Sequence, residues 1–382
     1  MILIKMYSDP KSVKFVLLLL STCTIYSLAQ TDSTERAGIE PLPILSYDTD
    51  TGFGYGLKIF FYNRLNTEES FDIILFNSTE GEQWYKFVFS TPDFESRQGT
   101  EFPIALDVTF EYDKWKNYNL YYYNLEVEGT NYADGQVEFT DQCNYELIET
   151  KIFLNHAFRK DFTGWFGLKF SSLATYNYRR DTILTSPENV ENKYQEAPSV
   201  KYLSANLNAK WDTRNSYINP STGLVLEIEL EYAPNILEAN SSFFRQAFVV
   251  RHFTEIFFKN LILASRAVEQ VLIAGSESSQ FLAIPVGGSN TLRGVPMDKF
   301  RFYSEFLFNN ELRFPIWWRF GAIAGLDIGY GSNKDLYPED TIDWIVNPVV
   351  GLRFFMDNFI VRADVGFYKG DIGFYLNFGH IY

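Results

Sequence analysis

One arginine and a few carboxylates are the residues in this chain that could do chemistry together. Arg293 stands alone among glycines in the stretch VGGSNTLRGVPMDKF, residues 286–300, with Gly287 and Gly288 ahead of it and Gly294 directly after it. A guanidinium is planar, permanently charged and able to hold a carboxylate through two parallel hydrogen bonds. Acidic candidates follow it in the chain at Glu305, Glu311 and Asp327. On residue types alone Arg293 reads first as a solvated loop side chain, as most loop arginines are. Catalysis has less support. The three histidines, His156, His252 and His380, sit in no nucleophile pattern, and there is no phosphate loop, dinucleotide fingerprint or zinc spacing. Neither an enzymatic activity nor a cofactor or metal is expected.

The elements that must position these residues follow from composition. The chain has 382 residues, a net charge of -15, 18% aromatic and 21% charged residues. So many aromatics exclude disorder, and so acidic a balance excludes a nucleic-acid partner. Residues 1–29 read as an export signal: Lys5, Lys11 and Lys14, then the apolar run FVLLLLSTCTIYSLA, then small residues at Ser27 and Ala29. Cys23 lies within it, preceded by Thr22, a poor residue before a lipidated cysteine, and Cys143 then has no second cysteine with which to form an intrachain disulfide. No later run is apolar for the length a membrane helix needs. A β-barrel escapes that test, because its mark is alternation.

Alternation is abundant. In LSANLNAKW, Leu203, Ala205, Leu207, Ala209 and Trp211 share one face, while Ser204, Asn206, Asn208 and Lys210 share the other. The same holds in GLVLEIELEY, NFIVRADVGFY and GFYLNFGHIY. A soluble sandwich also alternates, but its strands are shorter and its inner faces carry no mid-strand charges. The pattern predicts an all-β fold: a single transmembrane antiparallel barrel of about sixteen strands, fourteen being the nearest other count, with charged faces toward a wet lumen. Its strands run from 52–64 to 371–382, with 102–113 and 118–128 as separate strands and residues 30–50 as a short periplasmic segment ahead of a barrel at 51–382. Long connections at 92–101, 129–142, 179–198, 234–242, 273–301 and 332–343 fall on one rim, and short ones at 78–81, 159–162 and 317–319 on the other. Trp211, Tyr232, Tyr330 and Tyr382 are expected in the interfacial girdle.

Three stretches carry a resemblance. GGSNTLRGVP resembles the conserved loop of the BamA/TamA-type outer-membrane assembly factors, the bacterial surface antigen family, with Val295 where an aromatic usually stands. WDTRNSYINPSTGLVLEIELEY resembles the family's turn pattern through Asp212, Arg214, Asn215, Pro220 and Gly223. NNELRFPIWWRFGAIAGLDIGYG resembles the two strands that follow the loop. The resemblance covers about 200–382, and more loosely PILSYDTDTGFGYG at 43–56. It departs from the family's best-known members in having no room for their periplasmic POTRA repeats, so it implies a barrel-only member.

The resemblance implies a bacterial outer-membrane protein whose loop folds back into the lumen, where its arginine meets an acid on the inner wall. Alternation turns Asp327 inward between Gly325 and Gly329, which places Arg293 near Asp327, with Glu305 or Glu311 as second choice. Asp212 and Arg214 either pair or serve plain turn chemistry with Pro220 and Gly223. Gly52, Gly54 and Gly56 either weaken a seam between first and last strands or make room for the loop. The implied function is assistance in inserting or transporting outer-membrane or envelope components with periplasmic or membrane partners, in contact with outer-membrane lipid. The alternative is a passive or structural channel that keeps the plug loop.

Overall fold

The computed structural model describes residues 38–122, 139–180, 200–238, 241–275, 280–332, 341–356 and 359–382. The expected signal at 1–29 lies outside the described residues. In chain order the strands are β1 (Gly38–Asp48), β2 (Gly52–Tyr62), β3 (Ser70–Ser78), β4 (Glu82–Thr91), β5 (Ala105–Tyr122), β6 (Phe139–Arg159), β7 (Phe162–Arg180), β8 (Val200–Asp212), β9 (Gly223–Ala233), β10 (Phe243–Glu255), β11 (Ile262–Ala274), β12 (Ile284–Val286), β13 (Phe300–Phe302), β14 (Ser304–Trp317), β15 (Phe320–Ser332), β16 (Thr341–Phe355), β17 (Ile360–Tyr368) and β18 (Asp371–Phe378). Sixteen of them close an antiparallel barrel, and β12 and β13 form a separate two-stranded hairpin between β11 and β14.

Period two decides which way each side chain points. On the outer face Leu207 is 57% exposed, Phe166 52% and Val350 49%, whereas inward Ser204 and Asp364 are almost wholly covered. Such a continuous apolar exterior is a lipid-facing belt. Closure satisfies the backbone hydrogen bonds that hydrocarbon cannot. On β5, β6 and β7 the outer face changes from Phe110, Ile152 and Leu168 to Lys114, Glu146 and Tyr176, and the Tyr176 hydroxyl donates to Glu146 at 3.0 Å. The long strands therefore leave the lipid near that level.

Four expectations are corrected. Residues Gly38–Asp48, placed ahead of the barrel, form β1; Pro41 and Pro43 hide the strand pattern. The strands expected at 102–113 and 118–128 are not separate, because β5 runs unbroken from Ala105 to Tyr122 through a bulge between Trp115 and Tyr118 that shifts its faces, and 123–128 lie outside the described residues. The two errors cancel in the count but not in the rims: the 79–81 turn shares the rim of the long connections, and 92–104 lies on the opposite one. The lumen is not simply wet. Val249, Val268, Leu307 and Ile345 point inward and form an apolar cluster with Val286, Leu292, Val295, Phe300 and Phe302 of the β11–β14 connection. Tyr382, assigned to the girdle, is also inside, covered at 9% exposure.

The barrel closes through an uneven seam. β1 and β18 pair only at Tyr47↔Leu376 and Asp48↔Tyr375, whereas β16 and β17, the next shortest ladder of the barrel, pair at seven positions. Proline explains part of this. The Thr49 N–H donates to Phe374 O, so odd-numbered residues of β1 direct their N–H toward β18. Pro41 and Pro43 share that parity and have no N–H to give. Prolines belong on strand edges for this reason.

Candidate functional site

Residues 280–303 of the β11–β14 connection fold into the lumen, and glycine shapes the tip. Gly287 and Gly288 have φ of 133° and 87°, and Gly294 has 97°, a region closed to most side chains. The Gly287 N–H donates to Thr291 Oγ1 at 2.8 Å, which closes the turn. Arg293 is thereby directed at the wall of β14, β15 and β17 and is fully buried. Its Nε donates to Asp327 Oδ2 at 2.8 Å and its Nη2 to Asp327 Oδ1 at 2.9 Å, a two-pronged grip. Its backbone N–H donates to Asp327 Oδ2 at 3.1 Å. Its Nη1 donates to Glu311 Oε1 at 2.7 Å and to Asp364 Oδ2 at 2.9 Å.

Charge in this cluster balances. Arg353 donates to Glu311 at 3.1 Å and pairs with Asp364, and Arg313 Nε donates to Glu311 Oε2 at 2.8 Å. Three guanidiniums thus face three carboxylates, all with side chains at most 4% exposed. A buried charge is tolerable only when paired in this way. Polar groups complete the seat: Asn309 Nδ2 donates to Asp327 Oδ1 at 2.9 Å, Asn347 Nδ2 to Arg293 O at 3.0 Å, and the Gly294 N–H to the Tyr375 hydroxyl at 2.9 Å. Arg362 Nη2 holds the tip through Asn290 Oδ1 at 2.8 Å. Above the seat, Asp50 in the β1–β2 turn accepts the Met297 N–H at 2.9 Å. Burial pushes the Asp50 carboxyl up to about 6; the Met297 N–H opposes the rise and Asp298 adds to it.

The expected acids divide. Asp327 and Glu311 touch Arg293, whereas Glu305 accepts from Gln270 Nε2 at 2.8 Å and is not among the Arg293 contacts. The glycines that flank Asp327 make room for groups other than the guanidinium. A Cβ on Gly329 would meet Leu292 Cδ1 at 2.6 Å, and the Arg293 backbone is admitted by Gly366 instead. Asp364, Asn347, Tyr375 and Gly366 were not among the candidates. Alternation already turns Asp364 and Gly366 to the lumen face of their strand, but Asp364 is 71 positions from Arg293 and nothing local links them. Asp327→Asn is expected to lower unfolding stability by about 3 kcal/mol, since it leaves part of a buried ion cluster unpaired. Glu305→Gln is expected to leave it nearly unchanged; denaturant titration of both, followed by gel mobility, checks the contrast.

The turn residues use both expected chemistries. Arg214 grips Asp212 with Nε at 3.0 Å and Nη2 at 2.7 Å. Asn215 Oδ1 accepts the Ser221 and Thr222 N–H groups at 3.0 and 3.1 Å. Gly223 has φ of 120°, and a Cβ there would fall 2.6 Å from Arg214 Cα; Pro220 is buried. Gly54 and Gly56 lie on β2 rather than at the seam, where a Cβ would strike Phe76 and the Leu75 backbone.

Comparison with known proteins agrees with this geometry. The Omp85 superfamily domain matches residues 63–330. Among solved structures, BamA from Haemophilus ducreyi lacking POTRA domains 1-3 superimposes with a TM-score of 0.63 at 10% identity, over 90% of this chain and 70% of that one. CdiB from Escherichia coli does so with a TM-score of 0.58 at 11% identity, over 90% of this chain and 68% of that one. CdiB from Acinetobacter baumannii gives 0.56 at 12% identity, over 90% and 60%. No curated protein sequence matches. With its sixteen-stranded barrel, lipid-facing belt and inward-folded loop, the chain belongs to the Omp85 superfamily and is an outer-membrane β-barrel.

Proposed function

We propose that this protein assists the insertion or transport of outer-membrane or envelope components, acting with periplasmic or membrane partners and without catalysis of its own. Arg293 with Asp327, Glu311 and Asp364 then serves as the latch of a lumen plug. The observation that carries the reading is the seam: two ladder positions beside a fully seated loop. Each backbone hydrogen bond contributes only about 1 kcal/mol net, so so short a ladder is the part of the barrel that parts most readily. A passive channel has no use for such a weak line in its wall. Beside the plug lies a cavity of about 390 Å³, lined by Lys169, Arg245, Arg266 and Glu305 among others.

The test is a disulfide across the seam at Tyr47→Cys/Leu376→Cys, a directly paired position. Cells relying on the oxidised variant are expected to lose outer-membrane proteins, and a reductant is expected to restore them. Normal envelope protein levels with the seam locked would overturn the proposal. So would a large, stable pore from the purified protein whose deletion leaves the envelope unchanged, which is the behaviour of a passive channel.

A further inference from the structure

We propose that the outer faces of β10 and β11 form the contact between two copies of this chain in the membrane. The observation is a carboxylate where lipid is expected. On β11 the odd positions point outward, and Glu269 is among them, exposed in mid-strand. Its cross-strand partners are Phe248 of β10, 45% exposed, and Phe306 of β14, 36% exposed. Leu263 and Ile273, toward the two ends of β11, face the same way. No lysine or arginine stands on the outer face of β9, β10, β11, β14 or β15. Lower on the same wall Ser265 Oγ donates to Asn310 Oδ1 at 2.6 Å, a polar pair satisfied within the chain. Glu269 has no such neighbour across from it. A carboxylate set in hydrocarbon is costly, and one in a membrane span marks a site with a use.

Gln246 supplies the complementary chemistry. It is exposed on the outer face of β10, and its amide donates as well as accepts. Gln246 pairs with Val271 and Phe248 with Glu269, so Gln246 and Glu269 stand at opposite corners of one rectangle. The register brings those two corners level. Paired residues lie on lines square to the strands, and the lines climb from β8 to β14. The line that leaves Asp212, which ends β8, passes Val225, Arg251 and Arg266 and reaches Asn309, eight residues above Trp317, which ends β14 at the same rim. Val271 therefore stands higher than Gln246. With strands tilted by about 40°, the step of about 4.8 Å from β10 to β11 rises about 3 Å, and two residues down β11 descend about 5 Å. Gln246 and Glu269 are level to within about 2 Å by the same geometry.

A closed pair of copies inserted the same way has its two-fold axis along the membrane normal. Such an axis keeps height and exchanges left and right. Set between Gln246 and Glu269, it brings Gln246 of each copy to Glu269 of the other, with Phe248 and Val271 at the centre. Each carboxylate then accepts from an amide, in surroundings where lipid tails offer no donor. The contact is self-complementary, which is what a second copy requires of one face. Strands β14 to β18 lie between this face and the seam, so the seam stays turned to lipid.

The experiment uses the full chain in native outer membranes, with Phe248→Cys and mild oxidation. A covalent dimer is expected, whereas Phe166→Cys, exposed on the outer face of β7, is expected to give none. The unsubstituted chain, whose Cys143 is buried, sets the background. Without oxidant, the protein purified in mild detergent is expected to be a dimer by light scattering. Gln246→Glu sets two carboxylates against each other and is expected to weaken that dimer about tenfold or more. Glu269→Leu is expected to weaken it several-fold. The double variant Gln246→Glu/Glu269→Gln exchanges the two groups and is expected to restore the dimer, because the axis exchanges them too. A dimer unchanged by Gln246→Glu overturns the proposal, as does a double variant no more dimeric than Gln246→Glu alone. So does Phe248→Cys linked to a different membrane protein, or to nothing above background. Gel mobility before and after heating reports folding. Should Gln246→Glu not fold, Glu269→Leu decides, and an unchanged dimer counts against the contact.

Discussion

Arg293→Ala is expected to unseat the loop and open the lumen. The substitution leaves Glu311, Asp327 and Asp364 with two guanidiniums, Arg313 and Arg353, where three now face them. Asp327 loses most, because its other side-chain donor is the neutral amide of Asn309. Breaking a buried pair by removing one partner costs about 3–5 kcal/mol, since the remaining charge has no water to turn to. The loop can escape that cost by leaving the wall, and the carboxylates then hydrate. Three measurements follow the escape. Protease cleavage within 286–300 should rise, the denaturant midpoint should fall, and single-channel conductance should grow from small to large. Arg293→Lys should fall between, because it keeps the charge but cannot grip both oxygens of Asp327. Conductance and cleavage equal to the parent would mean that the loop is held by its apolar contacts alone.

Much of this arrangement was legible in the sequence because a barrel wall is written with period two. Alternation on β15 and β14 turned Asp327 and Glu311 inward, and both reach Arg293. It also turned Glu305 inward, but the inner face runs the length of the strand, and Glu305 sits level with Gln270. Height along the wall is not carried by parity. Contacts between distant strands were illegible for the same reason: Asp364 and Tyr375 reach the loop across 71 and 81 positions. Where the period is interrupted, the elements themselves were misread. Prolines concealed β1, and the bulge at Trp115 cut β5 in two. The expectation of a wet lumen failed at Val249, Val268 and Leu307, inward apolar residues that make sense only once Leu292, Val295 and Phe302 cover them.

Gly366→Ala is expected to unseat the same loop with every charge retained. A Cβ on Gly366 would stand 2.3 Å from the Arg293 carbonyl carbon and 2.6 Å from the Gly294 nitrogen. Carbon atoms settle at roughly 3.5–4.0 Å, so the contact is far inside the repulsive wall. Neither side can yield locally, because both are backbone: one strand of a hydrogen-bonded ladder and one loop fixed by Asp327 and Tyr375. Overpacking against movable side chains costs about 1–3 kcal/mol, and against two fixed backbones the upper end or more is expected. Ala324→Val, on the exposed face of β15 two strands away, adds more volume and should change nothing. Cleavage within 286–300, conductance and the denaturant midpoint are read as for Arg293→Ala. The two variants separate charge from fit: one removes the guanidinium and keeps the close approach, the other does the reverse. If Gly366→Ala leaves the loop protected, the backbone approach to β17 is not part of the seat, and the ion cluster must hold the loop from a greater distance than 2.3 Å implies.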